Sequence, residues 1–239
     1  MSNSLAFLFC LLAPPVAVCA GGLIVRLWRP GPRMQAAVQH FTAGLVLGAV
    51  AIELAPEFVK SPHAVEVVIG FAIGAVMMLV VARLTHGAED TPSGSSLSLF
   101  AAVAVDLFVD GLLVGTSFAV GAKQGVLVAI ALAGCGFFLA ITTATSFQSR
   151  GTSQAKTAII TVTLMLITIA GVYLAHLFSA ELVGGLRSGT LAFATAALLY
   201  LVAEELMTEA HEAADDRPAT PALFFTGFLL VYLLQRMLG

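Results

Sequence analysis

The chain reads as an all-α polytopic membrane protein, a bundle of eight transmembrane helices. Three observations carry this. The 239 residues are 59% hydrophobic and only 10% charged, far less charge than a soluble domain of this size carries. The apolar runs are continuous and about twenty residues long, the length a spanning helix needs. They lack the short alternation of apolar and polar residues that marks a membrane barrel, and only helices or closed barrels satisfy the backbone in lipid.

Eight spans follow in order. The first covers about 5–25 and stops at Arg26, Arg29 and Arg33. Met1-Ser-Asn-Ser-Leu lacks the positive start of a secretory signal, so this span is expected to be retained. Pro14-Pro15 in its middle is expected to kink it. The second, about 36–57, holds Gly44-Leu-Val-Leu-Gly48 and ends in Glu53-Leu-Ala-Pro-Glu57. The third, about 64–84, holds Gly70-Phe-Ala-Ile-Gly74 and leads into the longest connection, His86 to Ser96. The fourth, about 97–121, holds Asp106, Asp110 and Gly111-Leu-Leu-Val-Gly115. The remaining spans cover about 125–147, 156–178, 188–209 and 219–237. Glycines four apart lie on one helical face and let backbones approach closely, so three such pairs predict a tight bundle. No stretch suggests a soluble domain, and residues 1–239 are expected to form a single transmembrane domain.

Lys and Arg set the orientation. Arg26, Arg29, Arg33, Arg83, Arg150, Lys156 and Arg217 fall on one side, and Lys60, Lys123, Arg187 and Arg236 on the other. The richer side is expected to be cytoplasmic, with both termini outside, in the inner (plasma) membrane of a bacterium. The net charge of -3 says little about partners, and the sequence holds no basic patch to suggest nucleic acid. Cys10, Cys19 and Cys135 all lie in apolar runs, where they read as packing residues rather than a disulfide framework.

Asp106 and Asp110 stand out. Spacing of four puts both carboxylates on one helical face, a turn apart. They lie roughly 14 and 20 Å along the fourth span at 1.5 Å per residue. A charge near the bilayer centre costs about 2.5–3.5 kcal/mol on insertion scales, and no Lys or Arg lies deep in any span to neutralise the pair. The pair is therefore protonated or bound to something positive, and both readings point to an ion or proton path. An aspartyl dyad for intramembrane catalysis would draw its carboxylates from two facing elements, so a transporter is expected rather than an enzyme.

Other acids extend the path. Glu53 and Glu57 lie towards the outer end of the second span, and Glu204, Glu205, Glu209, His211 and Glu212 towards the inner end of the seventh or just beyond it. His40 lies at the inner start of the second span. Glu57, Glu209, His211 and Glu212 read equally as solvated helix ends, and His63, His86 and His176 as interfacial residues. Span five carries Thr142, Thr143, Thr145, Ser146, Gln148 and Ser149 but no acid or His. Cys135, Leu139, Thr142 and Ser146 share one stripe of it, and their hydroxyls either bond back to the backbone or line a wet path. Glu53-Leu-Ala-Pro-Glu57 and Glu205-Leu-Met-Thr-Glu209 echo one another from spans of opposite direction. An inverted repeat leaves such a trace, and inverted repeats are a habit of secondary transporters.

These residues resemble the ZIP family of divalent-metal transporters. The stretch Ala43 to Glu57 is similar to the family's second helix, which ends His-Leu-x-Pro-Glu, with Glu53 in the place of the His. Asp106-Leu-Phe-Val-Asp-Gly111 resembles the fourth-helix His-Asn-x-Pro-Glu-Gly, with Asp106 for His, Leu107 for Asn and Asp110 for Glu. Tyr200 to Ala210 looks like the seventh helix. The family's fifth helix supplies a second His-x-x-x-Glu set, and here Cys135-Gly-Phe-Phe-Leu-Ala140 supplies none. The resemblance implies a ZIP-like bundle with inverted repeat and a secondary transporter working by alternating access. Its cargo would be a divalent metal cation of the zinc, manganese and iron class, held at a carboxylate-rich midplane site. The metal is then substrate, and no permanently bound cofactor is expected. Membrane lipid, protons and a second copy of the chain in a homodimer are the other partners implied. Carboxylates without imidazole favour harder ions such as Mn²⁺ over a site tuned to Zn²⁺. The missing span-five ligands leave a second reading, a ZIP-like sensor, scaffold or regulatory protein that moves no metal.

Overall fold

The computed structural model describes residues 3–25, 27, 31–89, 96–178, 183–208 and 221–238. Its helices are α1 (Asn3–Ile24), α2 (32–59), α3 (Ala64–Glu89), α4 (Ser96–Val120), α5 (Ala122–Ser149), α6 (Gln154–Leu177), α7 (184–208) and α8 (Ala222–Leu238). Seven are long and apolar enough to cross a membrane, and the apolar stretch of α8, Ala222–Met237, is shorter. The chain is an all-α integral membrane protein. Pro14 and Pro15 are buried within α1, which runs through them. Helix starts obey local chemistry: Pro32 occupies the first turn of α2, where its missing N–H costs nothing. The Ser153 hydroxyl accepts from the Lys156 N–H to cap α6.

Two helices are not uniform. α2 contains a π-helical turn at Val50–Leu54, and α7 contains one at Leu201–Leu206. Such wide turns insert one extra residue into a helix and cluster at functional sites. Glu53 lies in the first, and Glu204 and Glu205 in the second. The two glutamate-bearing helices are thus alike in backbone as well as in letters.

Packing sorts the helices into two groups. α1, α4, α5 and α6 pack on one another, while α2 packs on α7 and α8, and α3 on α7. The groups meet where α2 touches α5, α4 touches α7 and α3 touches α4. Exchange α1 with α6, α2 with α7, α3 with α8 and α4 with α5, and each of these pairings maps onto another except α3–α4. This is the packing expected of an inverted repeat.

The glycine pairs mark the tightest seams. A Cβ on Gly44 would collide with the Phe224 carbonyl, one on Gly70 with the Gly189 carbonyl, and one on Gly111 with the Thr168 carbonyl. The three spacings therefore face α8, α7 and α6 in turn. With no hydrophobic drive between helices in lipid, such close backbone packing supplies much of the cohesion.

The two ends of the bundle are distinguished by their contacts. At one end the Ser61 and Ser188 hydroxyls lie 2.7 Å apart, the Arg187 guanidinium donates to the Val120 carbonyl, and the Phe7 and His176 rings stack at 4.0 Å. Lys123 belongs to this end, and Arg33, Arg83 and Arg150 to the opposite one.

Candidate metal centre

A cavity of about 50 Å³ lies between the two helix groups, in the half of the bundle nearer Arg33. That is room for an ion or a few waters, since one water needs only about 10–15 Å³ on this measure. Four helices wall it. α2 gives Val38, Gln39 and Thr42, α4 gives Asp106, α5 gives Gly134, Cys135, Phe138, Leu139 and Thr142, and α7 gives Leu206. Its polar lining is one carboxylate, one amide, one thiol and two hydroxyls. The Thr142 hydroxyl also donates to the Leu139 carbonyl at 2.9 Å, so it bonds back to its own helix and lines the cavity as well. Gly134 gives α5 close approach to the Thr42 side chain of α2.

The candidates fall in different places. Asp106 is half-buried and lines the cavity, whereas Asp110, one turn on, is 4% exposed and lies outside that lining. Glu53 is buried in the α2 wide turn, its carboxylate 3.5 Å from the Lys123 ammonium of α5. Glu57 and Glu204 are exposed. Glu205 sits in the α7 wide turn, but its side chain lies outside the described residues, as do Glu209, His211 and Glu212 altogether. His40 is 1% exposed, and its Nδ1 is 2.9 Å from the Ala36 carbonyl. A carbonyl only accepts, so Nδ1 carries a proton. His63 lies 3.8 Å from Glu66, both well exposed, and His176 belongs to the aromatic stack with Phe7. The side chain of His86 is outside the described residues.

Among the described residues, no three His, Cys, Asp or Glu side chains gather closely enough to hold a metal. The cavity instead offers one carboxylate supplemented by neutral donors. The sequence does not single out Gln39 or Thr42 as ligands, and it favours a packing role over a soft-ligand role for Cys135. The stripe of Cys135, Leu139 and Thr142 was the available signal, and it does face the cavity.

Between the cavity and the Lys123 end apolar side chains fill much of the core, alongside the buried Asp110, Ser117 and Thr195. Leu54 of α2, Leu113 and Val114 of α4, Leu127, Val128 and Leu132 of α5, and Leu198 and Leu201 of α7 form one buried apolar cluster.

No family model matches the chain. It is similar to the zinc transporter GufA of Myxococcus xanthus, at 26% identity over 204 residues, covering 85% of this chain and 73% of that protein.

Proposed function

We propose that the chain is a ZIP-type transporter that carries divalent metal cations across a membrane, a reading supported by its 26% identity to that zinc transporter. The observation that carries this reading is the cavity itself. Asp106 lines it between the two helix groups, alongside neutral oxygen and sulfur donors from α2 and α5. A carboxylate is the strongest ligand for a hard cation in that lining.

Asp106 binds the ion, with Gln39, Thr42, Thr142 and Cys135 completing its shell. Oxygen donors admit Mn²⁺, and the thiol adds affinity for softer ions such as Zn²⁺. Glu53 and Glu57 draw the cation in at the Lys123 end, which faces outward. Glu204, Glu205, Glu209 and His211 meet it at the other, cytoplasmic, end, with His40 one turn inside. The two helix groups slide against one another to give alternating access, and protons returning to the carboxylates balance charge as the metal leaves. Lipid covers the exposed apolar faces, and two copies pair as a homodimer.

Flux into liposomes containing the purified chain tests this. Zn²⁺, Mn²⁺, Fe²⁺, Co²⁺ and Cd²⁺ are compared for wild type, Asp106→Asn and the double change with Asp110→Asn. The proposal expects flux in wild type that Asp106→Asn lowers by at least about tenfold, the loss of one charged ligand interaction. Folded wild-type protein that moves none of these ions would favour a ZIP-like protein that senses or scaffolds without transport. The absence of a three-ligand cluster among the described residues is the observation on that side.

A further inference from the structure

Lys123 is the second residue of α5, and Glu53 lies in the wide turn of α2. Their ion pair spans 3.5 Å, with the Glu53 side chain 5% exposed and that of Lys123 30%. The Glu53 oxygen on this pair makes no hydrogen bond within the described structure. Through that oxygen the pair is held by charge attraction over one long contact, without a hydrogen bond to strengthen it.

Two further facts give the pair its meaning. α2 and α5 belong to different helix groups, so the pair ties one group to the other. It also lies at a different depth from the cavity. Thr142 is roughly 28 Å further along α5 at 1.5 Å per residue, and the apolar cluster around Leu54 and Leu127 lies between. The cavity therefore lies towards the other end, with a buried apolar layer between it and the pair.

A carboxylate this buried needs a cation or a proton in every state, because an unpaired buried charge is strongly destabilising. We propose that Lys123 is a tethered stand-in for the cargo. Its ammonium occupies Glu53 and clasps α2 to α5 while the Lys123 end is closed. An arriving divalent cation displaces it from the carboxylate and releases the clasp. The exchange leaves Glu53 neutralised throughout, and it gives the incoming ion a competitor that belongs to the protein. This rests on the transport reading above.

The test uses the full-length chain in two formats: metal flux in liposomes, and equilibrium Mn²⁺ binding in detergent followed by its paramagnetic resonance. Lys123→Gln removes the competitor, so the KM for flux and the Kd for Mn²⁺ should both fall about fivefold, the scale of a partly exposed ion pair. Lys123→Arg should raise both, because a guanidinium grips a carboxylate through two bonds. Glu53→Gln should raise KM. Thermal unfolding checks that each variant folds, and Lys123→Arg decides the matter if Lys123→Gln does not. Unchanged KM and Kd in the folded lysine variants, with wild-type flux intact, would overturn the clasp and leave the transport reading standing. Absent wild-type flux would sink the transport reading, while the binding comparison would still report whether Lys123 competes for the cation.

Discussion

Asp106 of α4 and Cys135 of α5 line the same cavity from different helices. A hard oxygen anion and a soft sulfur share a space of about 50 Å³. Cys135→Ser should therefore move metal preference from Cd²⁺ and Zn²⁺ towards Mn²⁺, by about tenfold in their ratio. Competition between these ions during flux measures it. An unchanged ratio would mean that the sulfur only fills space.

Accessibility gives a second check on that wall. Cys10 is fully buried in α1, whereas Cys135 is partly open and faces the cavity. A small polar thiol reagent should label Cys135 and spare Cys10, and a divalent metal should slow the labelling. Peptide-level mass spectrometry assigns the label among Cys10, Cys19 and Cys135. Labelling indifferent to metal would separate the cavity from the ion's route.

The helix seams predict where the bundle resists change. Gly70 lies against the backbone of Gly189, with no room for a Cβ. Gly70→Ala should cost about 1–3 kcal/mol, the usual penalty for overpacking. Gly31, the N-cap of α2, has open space around it and an ordinary extended conformation, so Gly31→Ala should cost less, only the N-cap preference of Gly over Ala. Thermal unfolding in detergent compares the two.

The turn between α5 and α6 isolates a backbone effect. Gly151 has φ of +82° and nothing near the position of a Cβ. Gly151→Ala should lower stability by about 1–2 kcal/mol through the left-handed conformation alone. Gly151→Asn should lower it less, because Asn tolerates that region better. Equal losses in the two variants would contradict this assignment.

What the sequence reveals differs from element to element. The spans are legible because lipid demands long apolar runs, and even α8, the short one, is visible by its composition. The faces of Gly44, Gly70 and Gly111 are legible from spacing, but their partners are not. Periodicity says which side of a helix is smooth, whereas the helix that meets it is chosen by the packing of the whole bundle.

The site shows the same division. Asp106 and Asp110 announce themselves by the cost of their charge, yet only Asp106 lines the cavity. Cys135 has no acid or His beside it in its own helix, so its nearness to Asp106 is a purely tertiary fact. Lys123 reads as an ordinary loop charge that orients the helices, and nothing local ties it to Glu53, 70 positions earlier in the chain. The glutamate echo is visible in letters, while the wide turns that carry it are not, since no residue type encodes a π-helical turn.

Those wide turns make residue count and helix length separate quantities. An extra residue in Val50–Leu54 is spent on girth rather than on rise. Deleting the exposed Ala51 would let α2 wind regularly through this stretch. It would also turn the face beyond it by about 100°. Glu53 and Glu57 both lie beyond the deletion and would keep their four-residue spacing, so what changes is how the two acids together are aimed relative to the earlier turns of α2. For the ends of α2 and α7, a single-residue indel is thus a change of heading: it re-aims the acids while leaving each helix nearly as long as before.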